Sequence, residues 1–571
     1  MEGGSLGTLL GGIGLFLLGM SLMTDSLVAL GGRSLRSLLK RLAGHRMYAL
    51  LVGAAVTATV QSSSATTLIT VGFVGAGLLT FTQSLGFIFG ANIGTTSTAW
   101  LVSLVGLKMS VSAVALPLVG VGALVRLFTR GRRARLGLAI AGFGLVFVGI
   151  DVMQAGMSGI DVDLGAWAGR GGLLSTLLLV LVGLVMTVIM QSSSAAVATT
   201  LVALHAGSIT LSQAAALVIG QNVGTTVTAI LGAMGGGLAA RRAAVAHTVF
   251  NAATGAVALL LLPLFIGVAE RLGGLADDSA TTAIAVFHTL FNVMGVAIFF
   301  PLLPRFATVV ERLVPPRDVV AVEPPARAAL QVPALALEGA RRAVADATVV
   351  ALTLGFELLQ QASARNPTLP PLRRAVKVLT DPRSLLDGED ETTRSLATRL
   401  RGLRTALDSV ALYLGRINTS GEATALRDEH VELLHAIDHT RRLGKAIEDA
   451  GRLELVRSDP GLRRLAAEVV RNLDPLMPRL SAARDVETLA EIAKELRVLR
   501  KDEAEHRDAY RVTMLARVAD GDTTPEDADV LMSASRWIAK LPRHAYRAFL
   551  HLGWTAGAPA LPSDEDLIDG D

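Results

Sequence analysis

Gln61-Ser62-Ser63-Ser64 lies inside an apolar stretch, and Gln191-Ser192-Ser193-Ser194 repeats it 130 residues later. Each tetrad is followed, with an Asn 31 residues beyond its Gln, by Gly90-Ala91-Asn92-Ile93-Gly94-Thr95-Thr96 or Gly220-Gln221-Asn222-Val223-Gly224-Thr225-Thr226. The same offset lays Leu6–Met23 on Leu136–Met153 and Thr80–Ala99 on Thr210–Ala229 without a gap. One offset serving three separated blocks marks an internal duplication. A Gln in hydrocarbon is costly when unpaired, and three successive hydroxyls cannot all bond back to the preceding turn without bending it. Each tetrad therefore reads as the break in a discontinuous or re-entrant helix, tolerated where the backbone lines a cavity. The Gly-flanked Asn permits a left-handed turn and close backbone approach, with the Thr pair where a helix would restart as the other wall of the site; a helix-packing motif is the other reading.

Charge is placed as unevenly as polarity. Of 102 charged residues in the 571-residue chain, 26 fall in positions 1–314 and 76 in the rest, so the net +4 divides into +8 and −4. Segments 47–125, 171–240, 243–269 and 281–304 hold one charged residue among them, Lys108. Apolar runs of that length, at ~20 residues per crossing, are membrane spans. The sequence thus predicts an all-α protein with a polytopic membrane domain over 1–314, its repeats at about 6–128 and 136–258 and an extra span at 281–304. A Pro-rich linker over 315–335 leads to an antiparallel helical bundle over 336–554, expected to be soluble, and an acidic tail over 555–571. In the bundle Leu396, Leu400, Leu403, Leu407, Val410, Ala411 and Leu414 recur at helical spacing, with Arg399, Arg401 and Arg404 between them. The Ser563-Asp564-Glu565-Asp566 run is expected to be disordered.

Three loops are basic and free of acid: Arg33, Arg36, Lys40, Arg41 and Arg46; Arg126, Arg130, Arg132, Arg133 and Arg135; and Arg241 with Arg242. The positive-inside rule places them in the cytoplasm. The loops carrying Asp151, Asp161 and Asp163, and Glu270, Asp277 and Asp278, lack such clusters and fall outside. The first Leu-Gly span is then followed by an inside loop and its copy by an outside one, so the repeats are expected to have inverted topology, with substrate handled near the midplane at their interface. The expected location is the cell membrane, multi-pass, with the bundle cytoplasmic. Glu2 and the lack of a basic segment before the first apolar run predict a retained span rather than a cleaved signal peptide.

The chain has no cysteine, which excludes a disulfide framework, a thiolate metal site and a Cys nucleophile. The tetrads and their partners contain no carboxylate, Lys or Arg, so a proton relay through Asp or Glu is not supported there. Helix ends, hydroxyls and amides suit an anion, and the carbonyls of an interrupted helix suit Na⁺ as counter-charge. The serines have no adjacent base and no nucleotide loop is evident, so an enzyme is not expected. The basic excess sits in short loops, an orientation signal rather than a nucleic-acid surface. His247-Thr248-Val249-Phe250-Asn251 and His288-Thr289-Leu290-Phe291-Asn292 each put His and Asn on one helix face, either lining a pathway or forming an interhelical hydrogen bond.

Two Q-S-S-S blocks in inverted repeats, each followed by G-x-N-[IV]-G-T-T, resemble the sodium/phosphate cotransporter family, bacterial relatives of the type II sodium-dependent phosphate carriers. The resemblance covers roughly residues 1–310. It implies inorganic phosphate as substrate and Na⁺ as coupling ion, with no further cofactor. Carried onto matching positions, Gln61, Ser62, Ser63, Ser64, Gln191, Ser192, Ser193 and Ser194 would form the phosphate and sodium site, Na⁺ lying near the serines. Asn92, Thr95, Thr96, Asn222, Thr225 and Thr226 would flank it. The animal carriers have an extracellular disulfide loop, from which this cysteine-free chain departs. The helical region after the linker resembles PhoU-like regulators, and Ala436-Ile437-Asp438-His439 is similar to their acidic metal-binding helix. That implies a divalent metal at Glu432, Asp438 and His439, against which a solvated bundle surface stands as the other reading, and a regulatory protein partner. An exporter, a carrier of another oxyanion and a membrane-bound phosphate sensor remain alternatives.

Overall fold

The computed structural model describes residues 2–42, 46–75, 79–107, 112–158, 172–234, 237–274, 279–315, 325, 329–330, 332–364, 391–419, 424–448, 452–483, 485–555 and 561. Asp161, Asp163, Asp277, Asp278 and the Ser563–Asp566 run lie outside the described residues. Every regular element among the described residues is helical. The chain divides into two compact units, one of 1–316 with 326–332, the other of 317–325 with 333–571.

The first unit holds α1 (Glu2–Leu42), α2 (Arg46–Val60), α3 (Ser63–Gly75), α4 (Phe81–Leu101, continued by a π-helical turn Val102–Gly106), α5 (Ser112–Phe128), α6 (Gly131–Met157), α7 (Leu173–Met190), α8 (Ser193–His205), α9 (Leu211–Ala233), α10 (Leu238–Leu260), α11 (Leu262–Gly274), α12 (Ala280–Phe299) and α13 (Leu303–Leu313). Each tetrad breaks its helix. Gln61 and Gln191 follow the ends of α2 and α7 with φ of 57° and 51°, a left-handed conformation that stops a helix and that non-glycine residues rarely adopt. The next serine caps the following helix: Ser62 Oγ accepts from the Ala65 N–H, and Ser192 Oγ from the Ala195 N–H, each at 3.2 Å. Gln followed by Ser is thus a left-handed stop and a capped start. α4 and α9 open alike, on capping boxes in which Thr80 pairs with Gln83 and Thr210 with Gln213.

Of the two readings of the second motif, the glycines serve helix packing and not a turn. α4 and α9 run unbroken through Gly90–Thr96 and Gly220–Thr226, so no helix restarts there. Gly86, Gly90 and Gly94 instead lie against Ala49, Leu50 and Ala54 of α2, and Gly220 and Gly224 against Val180 and Leu184 of α7. A methyl group at Gly90 or Gly220 would overlap the carbonyl oxygen of Leu50 or Val180. Small residues let the backbones touch, as is usual between apolar helices. Because the partner numbers rise together, α2 runs parallel to α4 and α7 parallel to α9. α3 and α8 must therefore turn back, making α2–α3 and α7–α8 hairpins.

α1 and α6 pack through glycines that exchange roles. Gly12 meets Gly149 and Met153, while Gly142 meets Gly19 and Met23; Gly19 meets Val146, while Gly149 meets Phe16. Adding 130 to each α1 number and subtracting it from each α6 number returns the same contacts. As α1 numbers rise their α6 partners fall, so the helices are antiparallel.

The second unit holds α14 (Pro333–Ser363), α15 (Glu391–Leu414), α16 (Thr424–Glu448), α17 (Leu453–Ser458), α18 (Pro460–Leu473), α19 (Met477–Ala482), α20 (Val486–Ala519) and α21 (Pro525–Leu552). Among the described residues eight helices are long and apolar enough to cross a membrane: α1, α4 with its π-helical turn, α6, α7, α9, α10, α12 and α14. α14 nevertheless packs inside the helical bundle. Its Arg341, 3% exposed, donates to the Leu552 and Trp554 carbonyls and to Glu429 Oε1 at 2.5 Å, and its Thr348 hydroxyl meets Thr440 at 2.7 Å. The divalent metal expected at Glu432, Asp438 and His439 has no support in this arrangement. Glu432 Oε2 is 2.6 Å from His551 Nδ1, Asp438 pairs with Arg442 at 2.8 Å, and His439 stacks between His551 and His544. Among the described residues no three His, Asp or Glu side chains converge as a metal ion needs.

Candidate functional site at the paired helix breaks

The two breaks meet. Ser194, at the start of α8, donates to the Gln61 carbonyl at 3.2 Å and lies 3.1 Å from the Thr98 hydroxyl of α4. Its counterpart Ser64, at the start of α3, accepts from Thr228 of α9 at 3.3 Å. Ser64 matches Ser194 and Thr98 matches Thr228 under the 130-residue offset, so each copy's hairpin tip contacts the other copy's long helix. The N-termini of α3 and α8 are thereby brought to one place. The amides of Ser63, Ser64, Ser193 and Ser194 are first-turn donors with no acceptor inside their own helices. Each N-terminus also carries about half a positive charge from its helix dipole.

The two glutamines differ. Gln61 is half-buried: its Nε2 donates to Ser97 Oγ at 2.9 Å and to the Ala58 carbonyl at 2.5 Å, and its Oε1 accepts from Thr98 at 2.9 Å. Gln191 is exposed, and its Nε2 donates back to Val188 at 2.6 Å. The hydrogen bonds of the tetrads thus bring together an amide, hydroxyls and helix N-termini, none of them from a charged side chain. Such a set can surround an oxyanion with donors and present oxygens to a small cation.

The flanking residues are placed less directly. Asn92, Thr95 and Thr96 bond back to Ile88, Ala91 and Ile93 in their own helix, and Thr225 and Thr226 back to Asn222 and Val223. Asn222 instead donates to Asn251 of α10 at 2.6 Å and to Asn292 of α12 at 3.4 Å. His247 and His288 are buried one turn before those two asparagines. Sequence reasoning missed Ser97, Thr98 and Thr228, which make the contacts to the tetrads; their signal was the identity of Thr98 and Thr228 across the offset. It also missed Gln221, fully buried and donating to Thr200 at 2.7 Å and to the Ala196 carbonyl at 3.1 Å.

A family model described as Na+/Pi-cotransporter matches residues 15–155 and 173–297, one segment around each tetrad. The Bacillus subtilis "Uncharacterized protein YqeW" is 33% identical over 262 residues, covering 45% of this chain and 82% of that protein. The chain belongs to the Na+/Pi-cotransporter family. It is a membrane protein. Two further relatives are named "Putative inorganic phosphate export protein YjbB", one from Salmonella typhimurium at 31% identity over 245 residues and one from Escherichia coli at 30% over 264. The matches cover 43% and 46% of this chain and just 44% and 47% of those two proteins. No solved structure matches the chain.

Proposed function

We propose that the chain moves inorganic phosphate across the cell membrane, coupled to Na⁺, by alternating access between two inverted repeats. The observation that carries this is the reciprocal contact of the hairpin tips, Ser64 with Thr228 and Ser194 with Thr98. Two broken helices meeting end to end at the interface of a duplicated fold are the arrangement in which secondary carriers hold substrate. Phosphate and Na⁺ would sit among Gln61, Ser62, Ser63, Ser64, Gln191, Ser192, Ser193 and Ser194, with Na⁺ nearest the serines. Asn92, Thr95, Thr96, Asn222, Thr225 and Thr226 would support them in the following helices.

The path of the chain is consistent with inversion. With Arg46 inside, α2–α3 is a hairpin entered from the cytoplasm; α4 goes out, α5 returns to the Arg126–Arg135 loop, and α6 goes out. The α7–α8 hairpin then enters from outside, α9 comes in to Arg241 and Arg242, α10 goes out, and α12 returns. Every basic loop falls on one side, and the bundle after α13 with them. An antiparallel α1–α6 pair whose contacts map onto themselves supports a two-fold axis perpendicular to those helices, in the plane of the membrane. The difference between engaged Gln61 and exposed Gln191 is what one of two alternating states requires: one copy closed over the site, the other open. Na⁺ offsets the charge of phosphate, so the fully loaded or empty site changes face more readily than a half-loaded one. The C-terminal bundle is then a PhoU-like cytoplasmic regulatory domain, open to a partner protein.

Export is the second reading, favoured by the names of the Salmonella and Escherichia relatives; the same site would serve either direction. Protein in liposomes, with labelled phosphate placed inside or outside, tests both. Flux that is identical with Na⁺, K⁺ or no gradient sinks the coupling, and phosphate binding without flux makes the protein a sensor.

A further inference from the structure

We propose that Asn222, Asn251, Asn292 and Thr254 form a sodium site between α9, α10 and α12, separate from the serines of the helix breaks. The inference rests on the sodium-coupled reading above and adds a second place for the ion. Asn251 and Asn292 each donate Nδ2 to the carbonyl one turn back, His247 at 3.0 Å and His288 at 2.9 Å. Those bonds fix the amide orientations, so both Oδ1 atoms face the same group, the Asn222 amide, at 2.6 and 3.4 Å. All three asparagines are at most 3% exposed. Two carbonyl dipoles aimed at one point in a low-dielectric interior favour a positive charge there, and rotation of the Asn222 amide would bring a third oxygen to it.

A closed structural knot would have its polar atoms paired, and this one does not. The Thr254 hydroxyl, one turn beyond Asn251, is 1% exposed and has no hydrogen-bond partner. It faces α12 at Gly295, where an added methyl group would lie 2.6 Å from it. His247 Nδ1 and His288 Nδ1, one turn before the two asparagines, are also buried without a partner. A buried polar atom left unpaired asks for an explanation, and a bound ion is one that also suits the two amide oxygens beside it. The cluster belongs to one copy only. Asn92 takes the place of Asn222 in the first copy and bonds to Ile88, while Val121 takes the place of Asn251. Packing of the duplicated fold therefore does not require these amides. Neutral oxygens with no carboxylate among them suit a single positive charge better than a divalent ion.

Binding of radioactive ²²Na⁺ to the purified full-length protein, without phosphate and with choline chloride holding ionic strength, tests the site. Asn251→Leu and Asn292→Leu should each lose one bound Na⁺ per chain, and Thr254→Val, which keeps the shape and removes the hydroxyl, should raise the half-saturating Na⁺ concentration severalfold. Ser64→Ala with Ser194→Ala should leave this Na⁺ in place. Leucine variants that bind as much Na⁺ as the wild type overturn the site while Na⁺-dependent flux keeps the coupled reading standing; a wild type that binds no Na⁺ and shows Na⁺-independent flux ends both. If the leucine variants do not elute as folded protein, Thr254→Val decides, and an unchanged half-saturation overturns the proposal.

Discussion

Replacing the two glutamines one at a time separates their roles, because the same residue at equivalent positions is held differently. Gln61 makes three side-chain hydrogen bonds, to Ala58, Ser97 and Thr98. At about 1 kcal/mol net for each, Gln61→Ala should cost about 2–3 kcal/mol. Gln191 makes one, to Val188, at an exposed position, so Gln191→Ala should cost about 1 kcal/mol or less. Both residues are left-handed, where an L side chain costs about 1–2 kcal/mol that glycine avoids. Glycine should therefore recover about 1 kcal/mol relative to alanine at each position. The expected order of thermal resistance is Gln61→Ala lowest, then Gln61→Gly, Gln191→Ala and Gln191→Gly. Intrinsic-fluorescence melting in detergent at one scan rate and without phosphate reads this order, since unfolding of such a chain is governed by rate as well as equilibrium. Under the proposed alternating access, phosphate flux should be abolished by alanine at either position. Equal melting losses for the two alanine variants would refute the asymmetry, and wild-type flux in either would remove the helix-break site.

Gly90→Ala and Gly220→Ala should destabilise the membrane unit by about 1–3 kcal/mol although alanine is the better helix former, because their methyl groups collide with α2 and α7. Gly120→Ala, in open space on α5, should be neutral or stabilising by up to about 1 kcal/mol, and equal melting shifts for the three would contradict the packing. Thr98→Val should slow phosphate flux more than Thr95→Val, since Thr98 meets both Gln61 and Ser194 whereas Thr95 bonds back to Ala91; equal rates in liposomes would count against the hairpin-tip contact. In the bundle, burial, with His439, Arg543, Arg442 and Arg547 nearby, holds His544 down to about 3. Its neutral form is favoured by folding, so its contribution is full above about pH 6.5 and is lost as pH falls toward 3, by at most about 1.4 kcal/mol per pH unit. His544→Leu should flatten that part of the melting-versus-pH curve, and an unchanged curve would show that another group carries it.

The membrane spans, the duplication and both helix breaks were legible in the sequence because each rests on near neighbours. A run free of charge, a fixed offset, and a Gln-Ser pair acting as left-handed stop and cap need no distant partner. Gly-x-Asn-x-Gly left a turn and a packing contact both open for the opposite reason. Whether glycine bends a helix or admits a neighbour depends on what lies across from it, and here the Leu50 and Val180 carbonyls do. The same limit hid Ser97, Thr98 and Thr228, whose partners lie 36, 37 or more than 90 residues away. It also hid the inequality of Gln61 and Gln191, because identical tetrads cannot record which of them meets side chains of another helix. The sequence by itself determined where the helices break, through local hydrogen bonding and hydrophobicity. Only the tertiary structure decided which polar groups the breaks bring together, since those pairings form between helices that packing alone makes neighbours.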